Sequence, residues 1–340
     1  MAVVEAPLSK PRLRYAANLL LAIPIFLIGA FSLIAFGDGW SFFPYILVWF
    51  RFQYFAALLA CAPVAALLRN WMLLAVSLLL CIPNALALAP YVLPGSESGK
   101  SDSPHLRICQ VNVNYANQGH GRVIDYIKRC NPDVILLEEM TEGWAEAIED
   151  AFPEYRHINK VARPDPYGIG TFSRLPVTRK DVEWYGELGY PALISWIRWN
   201  GMDIKLTNVH LLTGVNARLL AGQTRQFAEL TRDAHFSREP QIVAGDFNSP
   251  IWSTLIQKLL AAANLHNSAN GFGWQPTWPQ DKFATAMLGI PMPDEVLRVP
   301  IDHCLISDQL RVTAFSVGRD VGSDHYPLCI EIEANRNLSQ

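Results

Sequence analysis

The chain has 340 residues, of which 51% are hydrophobic and 17% charged, and its formal net charge is -3. Residues 15–93 hold almost no charge, whereas the chain from residue 105 onward has the composition of an ordinary globular domain, so a uniformly soluble protein is excluded. From residue 105 there are 22 Lys and Arg and 27 Asp and Glu, a net charge of -5. A protein surface that binds long nucleic acid is usually basic, so this acidic balance disfavours such a function.

Three apolar stretches stand in a row near the N-terminus, at 16–36, 43–67 and 71–93. Each is close to the ~20 residues that span ~30 Å of hydrocarbon. No small-residue cleavage site separates the first stretch from the next two, so we interpret it as an uncleaved anchor and not as a signal peptide. The sequence therefore predicts a membrane anchor with three transmembrane helices over residues 1–93.

The orientation of this anchor follows from the basic residues that flank its predicted spans. These are Lys10, Arg12, Arg14 and Arg69. The loop between the first two spans, 37–40, contains no basic residue. The positive-inside rule puts the N-terminus in the cytoplasm, and three crossings then put the rest of the chain outside it. We expect a multi-pass protein of the inner or plasma membrane with an extracytoplasmic catalytic domain.

Residues 94–104 are rich in Ser, Gly and Pro, which predicts a flexible linker before a domain at 105–340. Short β-branched or aromatic runs predict strands at 106–113, 132–137, 169–172, 192–199, 203–210, 241–244, 301–306, 311–317 and 327–332. Helical patterns lie between them at 122–129, 142–151, 217–233 and 252–263, with Thr141 and Ser253 as N-caps. Asn200-Gly201 predicts a hairpin turn.

Strands that alternate with helices in this way predict an α+β fold. The expected architecture is a four-layer α/β/β/α sandwich of two packed mixed sheets, preceded by the three transmembrane helices.

Short blocks rich in acids, amides and histidines end several predicted strands. They are Gln110–Asn114, Pro132–Glu139, Thr207–His210, Gly245–Asn248, Ile301–His303 and Gly322–His325. We expect their polar side chains to meet at one rim of the sheets. Carboxylate and amide oxygens without thiols favour a hard cation such as Mg²⁺, and no CxxC pair supports a zinc site. Histidines beside carboxylates add a candidate general base.

The order of these blocks resembles that of the endonuclease/exonuclease/phosphatase superfamily, whose members include apurinic endonucleases, neutral sphingomyelinases and inositol polyphosphate 5-phosphatases. The resemblance covers about residues 105–333 and rests on the strand with Asn112, the Pro-Asp…Glu strand, the strand ending in His210, Gly-Asp-Phe-Asn, Ile-Asp-His and Gly-Ser-Asp-His. Bacterial members with N-terminal membrane helices are the most similar. The resemblance implies hydrolysis of phosphoester bonds.

The resemblance also implies a role for each matching residue. Glu139 and Asn112 hold the Mg²⁺ or Mn²⁺ ion, Glu139 directly, and Asp324 lies on the metal side. Asp246 and Asn248 position the attacking water and the scissile phosphate. His210 donates to a phosphate oxygen. His325 acts as general base or transition-state donor and is oriented by Asp302.

The chain departs from the family pattern at two positions. Asn114 stands where many nucleases have Asp, which puts a second metal ion in doubt, and Glu138 replaces a common Gln and competes with Glu139 as a ligand. His303 is the weaker histidine candidate. Trp274 and Trp278 form either a substrate-facing wall or a loop packed on its own aromatics.

Three functions compete on these observations. The membrane tether and the acidic domain favour a phosphoesterase acting on a phospholipid headgroup or a small phosphorylated solute, with the lipid bilayer as a partner. An extracytoplasmic nuclease acting on DNA or RNA is possible but not favoured by the charge. A non-catalytic binding module is the third reading, and the intact set of acidic residues and histidines argues against it.

Overall fold

The computed structural model describes residues 10–93, 104–280, 289 and 293–335. The chain divides into two compact units, Met1–Pro90 and Tyr91–Gln340. The predicted linker at 94–104 lies outside the described residues except for Pro104.

The first unit is helical, with α1 at Lys10–Ile34, α2 at Phe42–Val48, α3 at Arg51–Leu67 and α4 at Trp71–Val92. Two of the described helices are long and apolar enough to cross a membrane, and a third crossing is available if α2 and α3 form one span. The stretch predicted as one helix at 43–67 is instead bent by 64° between α2 and α3.

Arg51, the first residue of α3, lies at this bend. It is 3% exposed, its guanidinium lies 3.9 Å from the centroid of the Phe36 ring, and its Nη2 is 3.5 Å from the Ala35 carbonyl oxygen. At the bend, the buried Arg51 guanidinium therefore makes its contacts just beyond the carboxyl end of α1, where a helix dipole favours positive charge.

The second unit contains two six-stranded sheets within the described residues. The strands are β1 Leu106–Asn112, β2 Val134–Glu138, β3 His157–Val161, β4 Ile169–Ser173, β5 Val177–Tyr185, β6 Tyr190–Trp199, β7 Met202–His210, β8 Gln241–Asp246, β9 Leu265–Asn267, β10 Asp302–Ser307, β11 Leu310–Val317 and β12 Leu328–Ala334. The helices are α5 His120–Cys130, α6 Glu142–Ala151, α7 Ala217–His235 and α8 Thr254–Ala263.

The strand orders are β11-β12-β1-β2-β4-β3 in one sheet and β5-β6-β7-β8-β10-β9 in the other. The pairs β1–β2 and β7–β8 are parallel, and both lie near the middle of their sheets. Alternate residues of each strand face opposite ways: Ile108 packs in the core between the sheets, whereas Cys109 packs in a second core that contains Trp144 of α6. The α+β sandwich of two mixed sheets predicted from the sequence is confirmed.

Several local predictions from the sequence agree with the structure. Thr141 and Ser253 accept backbone N–H bonds as the N-caps of α6 and α8. Asn200 and Gly201, with φ of 49° and 80°, make the turn between β6 and β7. Strands β3, β5 and β9 were not predicted. All three are edge strands of the sheets, as is β11, which was predicted, and the charged, partly exposed residues of β5 do not alternate cleanly.

Candidate functional site

The carboxyl ends of the two parallel strand pairs meet at one rim. The register pairs Asn112 with Glu138 across β1 and β2 and His210 with Asp246 across β7 and β8. Antiparallel pairing of β10 with β8 then sets Asp302 opposite Asp246. Strand pairing alone therefore gathers polar residues that are far apart in sequence.

Asp302 and His325 form a buried pair at this rim. The Nδ1 atom of His325 lies 2.8 Å from Oδ2 of Asp302, and its Nε2 lies 3.6 Å from Oδ2 of Asp246. Burial opposes the charged imidazolium, but Asp302 and Asp246 outweigh it and raise the pKa of His325 well above its ordinary value. An imidazole between two carboxylates is thus held as a proton donor.

The second oxygen of Asp302 is also fixed. Gln110 donates from Nε2 to Oδ1 of Asp302 at 2.9 Å and to Oε2 of Glu138 at 2.8 Å. Burial disfavours the Asp302 carboxylate, yet the charge of His325 and hydrogen bonds from His325, Thr277 and Gln110 lower its pKa. Asp302 therefore stays ionised and cannot rotate away from the imidazole.

Glu138 does not compete with Glu139 for a ligand position, contrary to the possibility raised by the sequence. Its side chain is fully buried and bonds to Gln110 behind Asp302. Burial raises the pKa of Glu138 well above its ordinary value. Glu138 is the last residue of β2 and lies inward, whereas Glu139 follows the strand with a left-handed φ of 59° and is only half-buried.

Asp246 is the point where the remaining groups converge. Its Oδ1 accepts the backbone N–H of Asn248 at 2.8 Å, and its Oδ2 lies 3.1 Å from Nδ2 of Asn112. The Oδ1 of Asn112 accepts the backbone N–H of Asn114 at 3.0 Å. Asn112 therefore accepts from backbone with its oxygen and donates to the acids with its nitrogen, which links β1 to Asp246.

His210 makes two polar contacts at the rim. Its Nδ1 donates to the Pro166 carbonyl oxygen at 3.0 Å, and its Nε2 lies 3.3 Å from Nδ2 of Asn248. Burial, with the charge of His325, lowers the pKa of His210 to about 4. A neutral ring that uses its proton on Pro166 has none at Nε2 to give to a phosphate. As placed, His210 accepts from Asn248 and orients that amide.

The other side of the rim is more open. Glu139 and Asp324 are half-buried. Oε2 of Glu139 accepts the backbone N–H of Tyr115 at 3.1 Å, and Oδ1 of Asp324 accepts from Nδ2 of Asn114 at 2.8 Å. Both Glu139 and Asn114 have left-handed backbone, with φ of 59° and 55°. A left-handed glutamate is strained, and such strain clusters at functional sites.

Five carboxyl groups thus converge on a small volume, those of Glu138, Glu139, Asp246, Asp302 and Asp324. Within the described ranges, no Lys or Arg forms an ion pair with any of them. Burial and the neighbouring Asp324 raise the pKa of Glu139. Since His325 pairs with Asp302 and Asp246, the acidic oxygens on the open side that lack a cationic partner in the described chain are those of Glu139 and Asp324, and they fit a divalent cation with oxygen ligands.

Two groups of side chains could hold that cation. Atoms of Asp246, Asp302 and His325 lie within 4.8 Å of one another. However, both His325 nitrogens already face carboxylates, and a protonated imidazole cannot be a ligand. Glu139 and Asp324 are half-buried on the open side, which makes them the better candidates.

Two residue sets flagged in the sequence lie outside this chemistry. His303 is buried, donates from Nε2 to the Ser249 carbonyl oxygen at 2.9 Å and packs edge-on against Phe247. Trp274 stacks on Trp252 with ring centroids 5.8 Å apart, so this part of the loop packs on an aromatic neighbour.

Three further residues contact the site without belonging to a recognisable catalytic motif. Gln110 lies on the same strand face as Asn112, two residues before it, and strand alternation is the sequence feature that indicates it. Thr277 accepts the backbone N–H of Asp302 at 3.3 Å from a distant loop, and Tyr167 places its ring 5.5 Å from that of His210. Only tertiary structure brings these two residues to the rim.

Comparison with known proteins gives one family and a set of similar folds. The sequence profile described as "Endonuclease/Exonuclease/phosphatase family" matches residues 109–325, which is more than half of the chain and spans all the blocks described above. No curated protein matches the chain in sequence.

Solved structures share the fold of the second unit. D. rerio TDP2 complexed with a single-strand DNA product has 17% identity and a TM-score of 0.56, covering 68% of this chain and 99% of its own. A family protein from Bacteroides thetaiotaomicron has 15% identity and a TM-score of 0.54, covering 69% and 100%. One from Beutenbergia cavernae DSM 12333 has 22% identity and a TM-score of 0.53, covering 68% and 72%. At these identities the likeness extends to the fold alone.

Proposed function

The chain belongs to the Endonuclease/Exonuclease/phosphatase family, and we propose that it is a membrane-anchored, divalent-metal-dependent phosphoesterase. The observation that carries this proposal is the convergence of five carboxyl groups on one rim with no Lys or Arg paired to them in the described chain. The cluster supports a metal site because burying several carboxyl groups together is costly even where histidines pair with two of them, and a bound cation offsets that cost.

We assign the metal to the open side, with Glu139 as principal ligand and Asp324 beside it. Mg²⁺ or Mn²⁺ is the expected ion, since the candidate ligands are oxygens. When bound, the ion supplies Lewis-acid polarisation of a phosphoryl oxygen and stabilises the leaving oxygen. Asn112 holds the Glu139 carboxylate from one side, with its Nδ2 3.3 Å from Oε1.

The remaining residues act on the substrate and on protons. Asp246 and Asn248 are placed to orient the attacking water and the phosphate, and His210 keeps the Asn248 amide in position. His325 delivers or takes a proton at Nε2 while Asp302 fixes its tautomer through Nδ1. A protonated His325 also neutralises charge that develops on the phosphoryl group.

The favoured substrate is a phospholipid headgroup or a small phosphorylated solute. The net charge of -5 from residue 105 onward disfavours long nucleic acid. A nuclease activity is the second candidate, because D. rerio TDP2, which shares the fold, was solved with a single-strand DNA product. Both candidate activities are hydrolyses of a phosphoester bond, so assays with the two classes of substrate are needed to distinguish them.

We further propose that the catalytic domain lies outside the cytoplasm. Cys130 and Cys329 form a disulfide that joins the end of α5 to β12. Disulfides persist in oxidising compartments and are rare in the cytoplasm, which agrees with the orientation expected from the basic residues at the start of α1 and from Arg69. Maleimide labelling of Cys130 and Cys329 in intact cells should require prior reduction; free, cytoplasmically labelled thiols contradict this topology.

The activity is tested with the purified full chain in lipid nanodiscs. Bis(4-nitrophenyl) phosphate and 4-nitrophenyl phosphate report diester and monoester hydrolysis with Mg²⁺, with Mn²⁺ and with excess chelator. We expect chelation and Glu139→Gln each to lower turnover by about 10³-fold, which corresponds to several kcal/mol of lost stabilisation.

The matched control is Glu142→Gln, the same substitution three residues away on an exposed side chain of α6. It should retain normal turnover. Full activity in excess chelator, or in Glu139→Gln, refutes the proposal.

A further inference from the structure

A pocket of about 170 Å³ lies next to the candidate site, between the β5–β6 turn and the start of α7. Its lining is largely apolar and includes Leu188, Tyr190, Leu212, Leu219 and Ala221. Leu212 follows His210 by two residues. The Tyr190 ring lies 3.8 Å from that of Tyr167, which in turn lies 5.5 Å from His210. The pocket therefore borders the site through one layer of aromatic rings.

The wall formed by the β5–β6 turn is fixed on α7. Gly186 and Gly189 have φ of 72° and 60°, which makes the tight turn possible. The Gly186 N–H donates to Oε2 of Glu229 at 2.7 Å, and Glu187 forms an ion pair with Arg225. Leu188 stands between these anchors with 71% of its surface exposed. The turn thus holds an apolar side chain out at the lip of a preformed pocket.

Arg218 adds a positive charge to the same lining. It is exposed, and among the described residues no acid pairs with it. It also lies in the first turn of α7, where a cation opposes the helix dipole and does not stabilise the helix. Because Glu187 and Arg225 pair with each other, Arg218 leaves the pocket lining with one net positive charge.

We infer that this pocket binds the apolar arm of an amphiphilic phosphoester whose phosphate lies at the Asp246–Glu139 rim. Apolar walls, a cation in the lining and a position one layer of aromatic rings from the site suit such a molecule. The inference rests on the proposed function and narrows its substrate class to lipid-like esters. A soluble phosphate without an apolar arm leaves the pocket unused.

The test uses the full chain in nanodiscs and a series of 4-nitrophenyl phosphodiesters whose second arm is methyl, butyl or hexyl. Each methylene that enters an apolar site is worth about fourfold in affinity. We expect kcat/KM to rise by at least about tenfold from methyl to hexyl. Binding of hexyl phosphate and methyl phosphate, followed by calorimetry, reports the pocket separately from hydrolysis and should show the same preference.

Two variants address the pocket from different walls. Leu188→Ser removes the exposed lip, and Gly222→Leu fills the pocket from α7, where even a Cβ atom lies 2.8 Å from Cδ1 of Leu212. In both, the hexyl-to-methyl ratio should fall to near unity. Phe236→Ser, a matched control that removes a 74% exposed apolar side chain just after α7, should keep the wild-type ratio.

The outcomes separate the two proposals. Hydrolysis with no dependence on arm length, in wild type as in the variants, overturns the pocket and leaves the phosphoesterase standing. Arm-length-dependent binding without hydrolysis supports the pocket and refutes the proposed function. If neither substrate arm nor variant changes binding, the pocket does not hold an apolar ligand. Leu188→Ser keeps the test decisive if Gly222→Leu fails to fold, because Leu188 makes little buried contact.

Discussion

The two sides of the candidate site are built differently. On the closed side, Asp302 and His325 are buried and hydrogen-bonded to neighbouring side chains. On the open side, Glu139 and Asp324 are half-buried and stand beside left-handed backbone at Glu139 and Asn114. The closed side is preorganised for proton transfer, since its atoms are already within reach of one another. The open side presents acidic oxygens, to which we assign the proposed divalent cation.

The largest effect should follow from breaking the closed side at its centre. His325→Ala should lose about 10²–10⁴-fold in kcat, or about 3–5 kcal/mol, because a positioned acid–base group is removed. Asp302→Asn should lose less, since the imidazole remains but loses its carboxylate. Turnover and thermal midpoint are measured on both. Near-normal turnover in His325→Ala with a lowered midpoint means that His325 only packs against the last strand.

The next largest expected effect is on stability and comes from His303, which the fold shields from water. Burial lowers the pKa of His303 to about 4, whereas an unfolded histidine titrates near about 6.5. At a pH between these two pKa values, His303 binds a proton in the unfolded state but not in the folded state. Stability therefore falls as the pH drops from about 6.5 to about 4, by about 3 kcal/mol for this residue.

His303→Gln tests that stability term. The amide can still donate to the Ser249 carbonyl, and it does not titrate. Unfolding of the two proteins is compared at pH 7 and pH 4.5, and the variant should lose less stability on acidification. Equal losses in both proteins show that His303 is not kept neutral by burial.

A smaller effect is expected where Gln110 supports Asp302 from behind. Gln110→Leu leaves one oxygen of Asp302 and the Glu138 carboxyl without their donor, which should cost about 1–3 kcal/mol of stability. We also expect kcat to fall by about tenfold, because Asp302 is freer to rotate. Glu138→Gln is the matched control, since its amide can still accept from Gln110. If Gln110→Leu loses stability but turns over normally, Gln110 supports the fold and not the dyad.

The smallest effect sharpens the open side. Asn114→Asp adds a third carboxyl group beside Asp324, and Asp tolerates left-handed backbone about as well as Asn does. Without Mg²⁺, stability should fall by about 1 kcal/mol, because the Asn114 donor to Asp324 is replaced by an oxygen, whereas the Mg²⁺ concentration for half-maximal activity should fall several-fold. An unchanged or raised Mg²⁺ requirement indicates that the cation lies away from Asn114.

The difference between the sides also explains which assignments needed tertiary structure. A shared rim could be predicted from the sequence for Glu139, Asp246, Asn248, Asp302, Asp324 and His325, because each belongs to a short polar motif at or near a strand terminus. The orientation of an amide or an imidazole is not local. The Asn112 side-chain oxygen accepts from the Asn114 N–H, and His210 donates its Nδ1 proton to the Pro166 carbonyl oxygen. Neither partner can be identified from a sequence motif.

What the sequence by itself determined is the anchor composition, the alternation of strands and helices, and the acidic, thiol-free character of the site. These depend on periodicity and residue chemistry, which are properties of short segments. Tertiary structure decided the break between α2 and α3, the charged edge strands, the burial of Glu138, the Cys130–Cys329 pairing and the pocket beside α7. Each of these depends on contacts between residues far apart in the chain, and such contacts are fixed only when the sheets pack and bring their strand ends together.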